Sequence, residues 1–176
     1  DSGDIATQNG NYDFTFKSIR ERIGKLADAK IIPITIGGDH GIAYPIISEI
    51  AKRYPKKVGV LHFDAHLDNY SHFGDDELSR CSPFYRVYND PNMAPTKIAH
   101  IGIRGPRNHR EEYNNAVKYG ATVIRAIDVH EDGWKASISK ALEVVSKDTE
   151  YIYITVCADS LDAANMPQAP QDMGGL

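Results

Sequence analysis

Val58-Gly59-Val60-Leu61-His62-Phe63-Asp64-Ala65-His66-Leu67-Asp68 is the stretch whose reading decides the fold. Its first six residues have the composition of a strand, and an acidic, imidazole-bearing turn follows at once. Ile31-Ile32-Pro33-Ile34-Thr35-Ile36 runs in the same way into Gly37-Gly38-Asp39-His40. Tyr151-Ile152-Tyr153-Ile154-Thr155-Val156 runs into Cys157-Ala158-Asp159-Ser160-Leu161-Asp162. Side chains able to hold a cation are therefore expected at the C-terminal ends of predicted strands, where ligand sites form in open parallel sheets.

The segments between these stretches alternate with them. Ile19, Ile23 and Leu26 give Thr15 to Lys30 a helical period, and Ala43 to Arg53 reads as a second helix. A polar loop from Asn69 to Ser82 leads to Pro83, placed to open a helix at its first position. Lys97 to Ile103 and Thr122 to Ala126 read as strands. Arg110 to Tyr119 reads as a helix stopped by Gly120, and Asp132 to Ser146 as another. Strands separated by helices imply right-handed βαβ crossovers, hence an α/β fold with a mainly parallel sheet covered on both faces.

The 176 residues suit one domain, and a net charge of −4 gives no support for nucleic-acid or anionic-membrane binding. No run of about 20 apolar residues offers a membrane span. No leader pattern is read at Asp1, and two cysteines make no disulfide framework, so a cytoplasmic location is expected. The Asp1 start and the loop-like stretch from Pro167 to Leu176 suggest a domain incomplete at both ends.

In Asp64-x-His66-x-Asp68, alternate positions of an extended segment point to one side, so three ligands are expected to converge from one ribbon. His40 would come from the neighbouring glycine turn, with Asp39 as an orienting group behind it. Spacing of two puts Cys157 and Asp159 on one face. An oxygen-rich set with two imidazoles suits Mn²⁺ and similar cations. The candidate metal ligands are His40, Asp64, His66, Asp68, Cys157 and Asp159.

Gly37-Gly38-Asp39-His40, Asp64-Ala65-His66-Leu67-Asp68 and the stretch from Thr155 to Ala163 resemble the three signature motifs of the ureohydrolase superfamily: arginase, agmatinase, guanidino-acid hydrolases and formimidoylglutamase. Ile101-Gly102-Ile103-Arg104-Gly105-Pro106 and the opening Asp1-Ser2-Gly3-Asp4 look most like the agmatinase branch. The resemblance implies a three-layer α/β/α sandwich, assembled as a homo-oligomer, trimer or hexamer. It implies hydrolysis of an amidino or guanidino C–N bond by a hydroxide held between two Mn²⁺ ions. Carried over by position, His40, Asp64, Asp68 and Cys157 would hold one ion. His66, Asp64, Asp159 and Cys157 would hold the other, with Asp64 bridging both and acting directly in catalysis.

Three positions depart from the family pattern. Cys157 stands where the family has a bridging aspartate, and a thiolate favours Zn²⁺ or another late metal such as Ni²⁺. Arg80 stands where agmatinases have a proton-transferring histidine; it cannot titrate, and His72 in the same loop is the substitute. The loop after Asp162 lacks the family's Asp-Pro. A small guanidino compound such as agmatine is the leading substrate. A guanidino acid, guanidine or formimidoylglutamate is the alternative, and a catalytically impaired homologue with a structural or regulatory role is the competing class.

Other residues carry bland expectations. His62 is placed off the face of Asp64 as a sheet-packing histidine, and His100 is read the same way. His109 and His130 are read as surface positions, Trp134 as helix packing, and Asp128 and Asp132 as caps flanking a turn. Arg104 is read as structural and Cys81 as a free thiol.

Overall fold

The computed structural model describes residues 2–169 and 172–176; Asp1 of the opening motif and Pro170 and Gln171 of the last loop lie outside them. Helix α1 (Tyr12–Asp28) starts where the Asn11 side chain accepts a hydrogen bond from the Phe14 amide, and it buries Phe16, Ile19 and Ile23. A 3₁₀ turn (His40–Ile42), capped by Asp39 accepting from the Gly41 amide, leads into α2 (Ala43–Arg53). Strand β1 (Val58–Phe63) follows, then α3 (Pro83–Tyr88) with Pro83 in its first turn. Strand β2 (Ile98–Ile103), α4 (Arg110–Tyr119), β3 (Thr122–Arg125), α5 (Ala126–Asp132), α6 (Trp134–Ser146) and β4 (Tyr151–Val156) complete the order.

The four strands form one parallel sheet in the order β3-β2-β1-β4. Side chains alternate across it. Val58 and Val60 join Ala43, Ile47, Phe84 and Val87 on the α2–α3 side, with α1 packed outside α2. Leu61, Ala99 and Ile101 join Ala141 and Val145 of α6 on the other. This is the expected α/β/α layering. Gly59 is required by it: a Cβ there would lie 2.1 Å from the Val145 carbonyl oxygen, so α6 can rest on the sheet only over a bare backbone.

Three expectations need correction. Residues 31–36 are not a strand: Ile32, Ile34 and Ile36 are 89%, 89% and 92% exposed, and the segment pairs with nothing among the described residues. A strand needs a ladder partner, and propensity alone does not supply one. Strand β4 correspondingly lies at the sheet edge, with Ile154 and Val156 exposed. The region read as a turn around Asp128 and Asp132 is α5; Asp128 does cap it, accepting from the Arg125 amide, but Asp132 is its last residue. Trp134 does not pack; it opens α6 at 65% exposure with the Lys135 ammonium over its ring.

Candidate metal centre

The C-terminal ends of β1 and β4 and the turn after residue 39 meet at one point. Asp64 continues β1 by one rung, its amide donating to the Ile101 carbonyl, and is fully buried. Beyond it the chain turns away from the sheet rather than continuing as an extended ribbon, and Asp68 adopts a left-handed φ of 47°. Convergence of the Asp-x-His-x-Asp ligands is therefore produced by a turn and not by strand pleating. The bend is matched on β2, where Gly102 (φ +94°) forms a bulge; a Cβ there would come within 3.1 Å of the Asp64 carbonyl oxygen.

All six candidate ligands come together. His40, His62, Asp64 and Asp68 each bring one donor atom to within 4.8 Å of the others, and Asp64, Cys157 and Asp159 form a second such group. Asp64 belongs to both. His40 Nδ1 lies 2.8 Å from Asp64 Oδ2 and 3.1 Å from Asp68 Oδ2. His66 Nδ1 lies 3.2 Å from Asp159 Oδ2 and 3.4 Å from Asp64 Oδ1. His40 Nδ1 is buried, yet it is aligned with neither carboxylate for a directed hydrogen bond. Its closeness to them is ionic rather than directional.

The far nitrogens of both rings are held. His40 Nε2 lies 3.0 Å from Thr155 Oγ1, and His66 Nε2 lies 2.7 Å from Asp172 Oδ2. The sequence reading missed both partners. Thr155 was legible, since spacing of two from Cys157 places it on the same side of β4. Asp172 was not: it lies 106 residues from His66 in a loop without periodicity. Arg104, read as structural, is the clamp of that region. Its guanidinium donates to the carbonyls of Gly102, Asp159, Ser160, Leu161 and Asp172, so one buried side chain ties the Asp159 turn to the returning tail.

The two imidazoles lie among the carboxylates of Asp64, Asp68, Asp159 and Asp172 and offset part of their charge. Burial opposes a protonated His40, but Asp64 and Asp68 outweigh it and hold the ring charged well above its ordinary range. His66 is likewise disfavoured as a cation by burial, yet Asp159 and Asp64 push it up to about 11. Burial would also raise Asp64; three histidines overcome this and keep it well below the usual carboxylate range. Asp68 is raised by burial and by the neighbouring Asp64 charge. Burial raises the Cys157 thiol, so it is protonated at neutral pH. Two divalent cations would replace the two imidazolium protons as the positive charge of this site.

His72 is exposed, its Nδ1 3.0 Å from Ser71 Oγ, which donates to Glu111 of α4. These contacts tie it to α4 rather than to the six clustered residues. Arg80 is exposed, with its backbone against Gly41 beside the His40 turn. Asp39 caps that turn, its carboxylate accepting from the Gly41 amide at 2.9 Å. His109 and His130 lie at the surface as expected, and Cys81 is a free thiol. His62 departs from expectation. It is buried, but spacing of two puts it on the same side as Asp64, and its Nε2 lies 3.0 Å from Asp64 Oδ2.

A sequence model of the arginase family matches residues 1–175. The chain belongs to the arginase family. It is 32% identical over 169 residues to a mitochondrial guanidino acid hydrolase of Homo sapiens, covering 95% of this chain and 47% of that protein. It is 31% identical over 168 residues to an agmatinase of Bacillus anthracis, covering 95% and 53%. The crystal structure of formimidoylglutamase from Bacillus subtilis superposes with a TM-score of 0.91 at 28% identity, covering 99% of this chain and 55% of that one. The arginase-family chain described here thus spans about half the length of the curated relatives it matches.

Proposed function

We propose that this arginase-family chain carries the cation-binding core of a hydrolase that cleaves a guanidino or amidino C–N bond in a small molecule, agmatinase-like and releasing urea. One observation carries the proposal: Asp64 is shared by two groups of converging donors. The fit to cations is supported by His40 Nδ1, buried without a directed partner at 2.8 and 3.1 Å from two carboxylate oxygens. Ligand atoms around an octahedral cation with bonds of about 2.1 Å lie about 3 Å apart. His40, Asp64, Asp68 and Cys157 would hold one ion, and His66, Asp64, Asp159 and Cys157 the other. The oxygen-rich set favours Mn²⁺, while Cys157 favours Zn²⁺ or Ni²⁺.

When bound, paired divalent cations supply Lewis acidity and make water a strong nucleophile at neutral pH. The chain's own groups prepare the site. Asp172 on His66 Nε2 and Thr155 on His40 Nε2 orient the rings so that each Nδ1 faces the centre. His72 is the residue proposed to carry a proton to the leaving group. Arg80, at the surface beside the His40 turn, is the residue consistent with the alternative guanidino-acid substrates, which bear a carboxylate as well as a guanidinium. Assembly as a homo-oligomer, trimer or hexamer, and a cytoplasmic location complete the proposal, with neither nucleic acid nor membrane as partner; no described helix is long and apolar enough to cross a membrane.

A second reading, a catalytically impaired homologue, draws on Cys157, a thiol that burial keeps protonated where the family has a carboxylate. Protein loaded with Mn²⁺, Ni²⁺ or Zn²⁺ is assayed for urea from agmatine, 4-guanidinobutyrate and guanidine, and for formamide from formimidoylglutamate. Metal binding with turnover of one substrate supports the hydrolase. Binding without turnover of any leaves the second reading, and no bound metal by elemental analysis defeats the metal centre itself.

A further inference from the structure

From Asp64 Oδ2, beside the His40 ring, a line of buried polar groups expected to act only as packing runs back between the strands. His62 Nε2 is 3.0 Å from Asp64 Oδ2, and His62 Nδ1 is 2.6 Å from His100 Nδ1. His100 Nε2 is 2.6 Å from the Tyr88 hydroxyl, which is 3.3 Å from Asn69 Nδ2. His62, His100, Asp64 and Asn69 are fully buried and Tyr88 nearly so. Phe84 stacks on the His62 ring at 4.0 Å and meets His100 edge-on, which fixes both ring planes.

We infer that these groups form a one-directional hydrogen-bond chain, Asn69 to Tyr88 to His100 to His62 to Asp64, and that His62, His100 and Tyr88 are positioning residues for the shared carboxylate of the cation site. The direction follows from counting protons. The ionised Asp64 only accepts, so His62 Nε2 carries a hydrogen. In a neutral ring Nδ1 is then bare and must receive one. Its neighbour is His100 Nδ1, which therefore carries the hydrogen, leaving His100 Nε2 bare to accept from Tyr88. The Tyr88 oxygen accepts in turn from Asn69 Nδ2. One arrangement thus satisfies each contact from Asn69 Nδ2 to Asp64 Oδ2, and it fixes both histidine tautomers.

Two consequences concern the site. His62 sits in the same cluster as His40, Asp64 and Asp68, yet both of its nitrogens are engaged, so it has no lone pair to offer a cation. And each Asp64 oxygen accepts one protein hydrogen bond, Oδ2 from His62 and Oδ1 from the His66 amide at 2.7 Å. One lone pair on each oxygen is left facing the donors on either side, which is what a carboxylate shared between two ions requires. The role at Asp64 rests on the metal-centre reading proposed above; the proton chain itself does not.

The test has two arms. Long-range ¹H–¹⁵N NMR of histidine-labelled protein reads tautomers without metal: the expected pattern is His62 protonated on Nε2 and His100 on Nδ1. The reverse tautomers, or a doubly protonated His62, overturn the chain. Mn²⁺ titration then compares His100→Gln with His100→Leu. Glutamine supplies one acceptor and one donor, so it can relay between Tyr88 and His62, whereas leucine supplies neither. We expect Gln to bind Mn²⁺ within about threefold of wild type and Leu to lose about tenfold or more, the range seen when groups behind metal ligands are removed. Tyr88→Phe, which keeps the ring and removes the hydroxyl that donates to His100 and accepts from Asn69, is expected to lose about as much as Leu. Equal affinity of all three variants with wild type overturns the positioning role. Wild-type protein that binds no Mn²⁺ overturns the metal-centre reading and the role at Asp64, while the NMR pattern still decides the proton chain.

Discussion

Glu112 offers a quantitative check on the electrostatics around the candidate centre. It is the third residue of α4, 1% exposed, and its carboxyl caps the helix by accepting from the His109 amide at 3.1 Å. Burial, reinforced by the Asp68 charge, lifts it from an ordinary 4.5 to about 7, against the pull of its hydrogen bonds. A folded-state value above the unfolded one means that the native state holds the proton more tightly. The stabilisation is therefore present in full below pH 4.5 and is lost as pH rises through 7. That span is worth about 3 kcal/mol as a ceiling. Glu112→Gln keeps an oxygen for the His109 amide and removes the ionisation. Urea unfolding of both proteins from pH 4 to pH 9 should give similar stabilities at the acid end and a variant more stable by about 2–3 kcal/mol at the alkaline end. Parallel stability curves across the whole range would refute the argument that burial holds Glu112 protonated.

The other predictions concern the centre and its frame. Cys157→Asp exchanges a thiol that burial keeps protonated for a hard oxygen donor, and should raise Mn²⁺ occupancy by elemental analysis about tenfold; unchanged occupancy would mean that residue 157 holds no ion. Arg104→Lys keeps the charge but loses the planar fork that serves five carbonyls, and should lower stability by about 2 kcal/mol, or about 5 °C in a thermal melt, while loosening the Asp159 turn. An unchanged melt would show that water replaces the clamp. Gly59→Ala places a methyl against the Val145 carbonyl and should cost about 2 kcal/mol or more as α6 is displaced; a melt within a degree of wild type would show that the helix gives way freely.

Much of the layering was legible because it is written in local signals. Hydrophobic period located α1, the segments between strands read as α2, α4 and α6, Pro83 and Gly120 marked helix ends, and β-branched runs located β1 and β4. The glycine, Asp-x-His-x-Asp and Cys-x-Asp turns marked three sources of ligand atoms, and those residues do converge. The failures share one cause. Residues 31–36 have strand composition but no ladder partner among the described residues, and composition cannot tell whether one exists. Trp134 has the chemistry of a packing residue but stands where no neighbouring element covers it.

By itself, then, the sequence determined which residue types stand at the ends of which elements, since helix period, strand composition and turn glycines act over a few neighbours. Only the tertiary structure decided what those residues face. Asp172 behind His66, Arg104 across the Asp159 turn and the His62–His100 contact join positions 106, 55 and 38 residues apart. Such pairings arise when separate strands and loops are packed side by side, and no local pattern in the chain carries them.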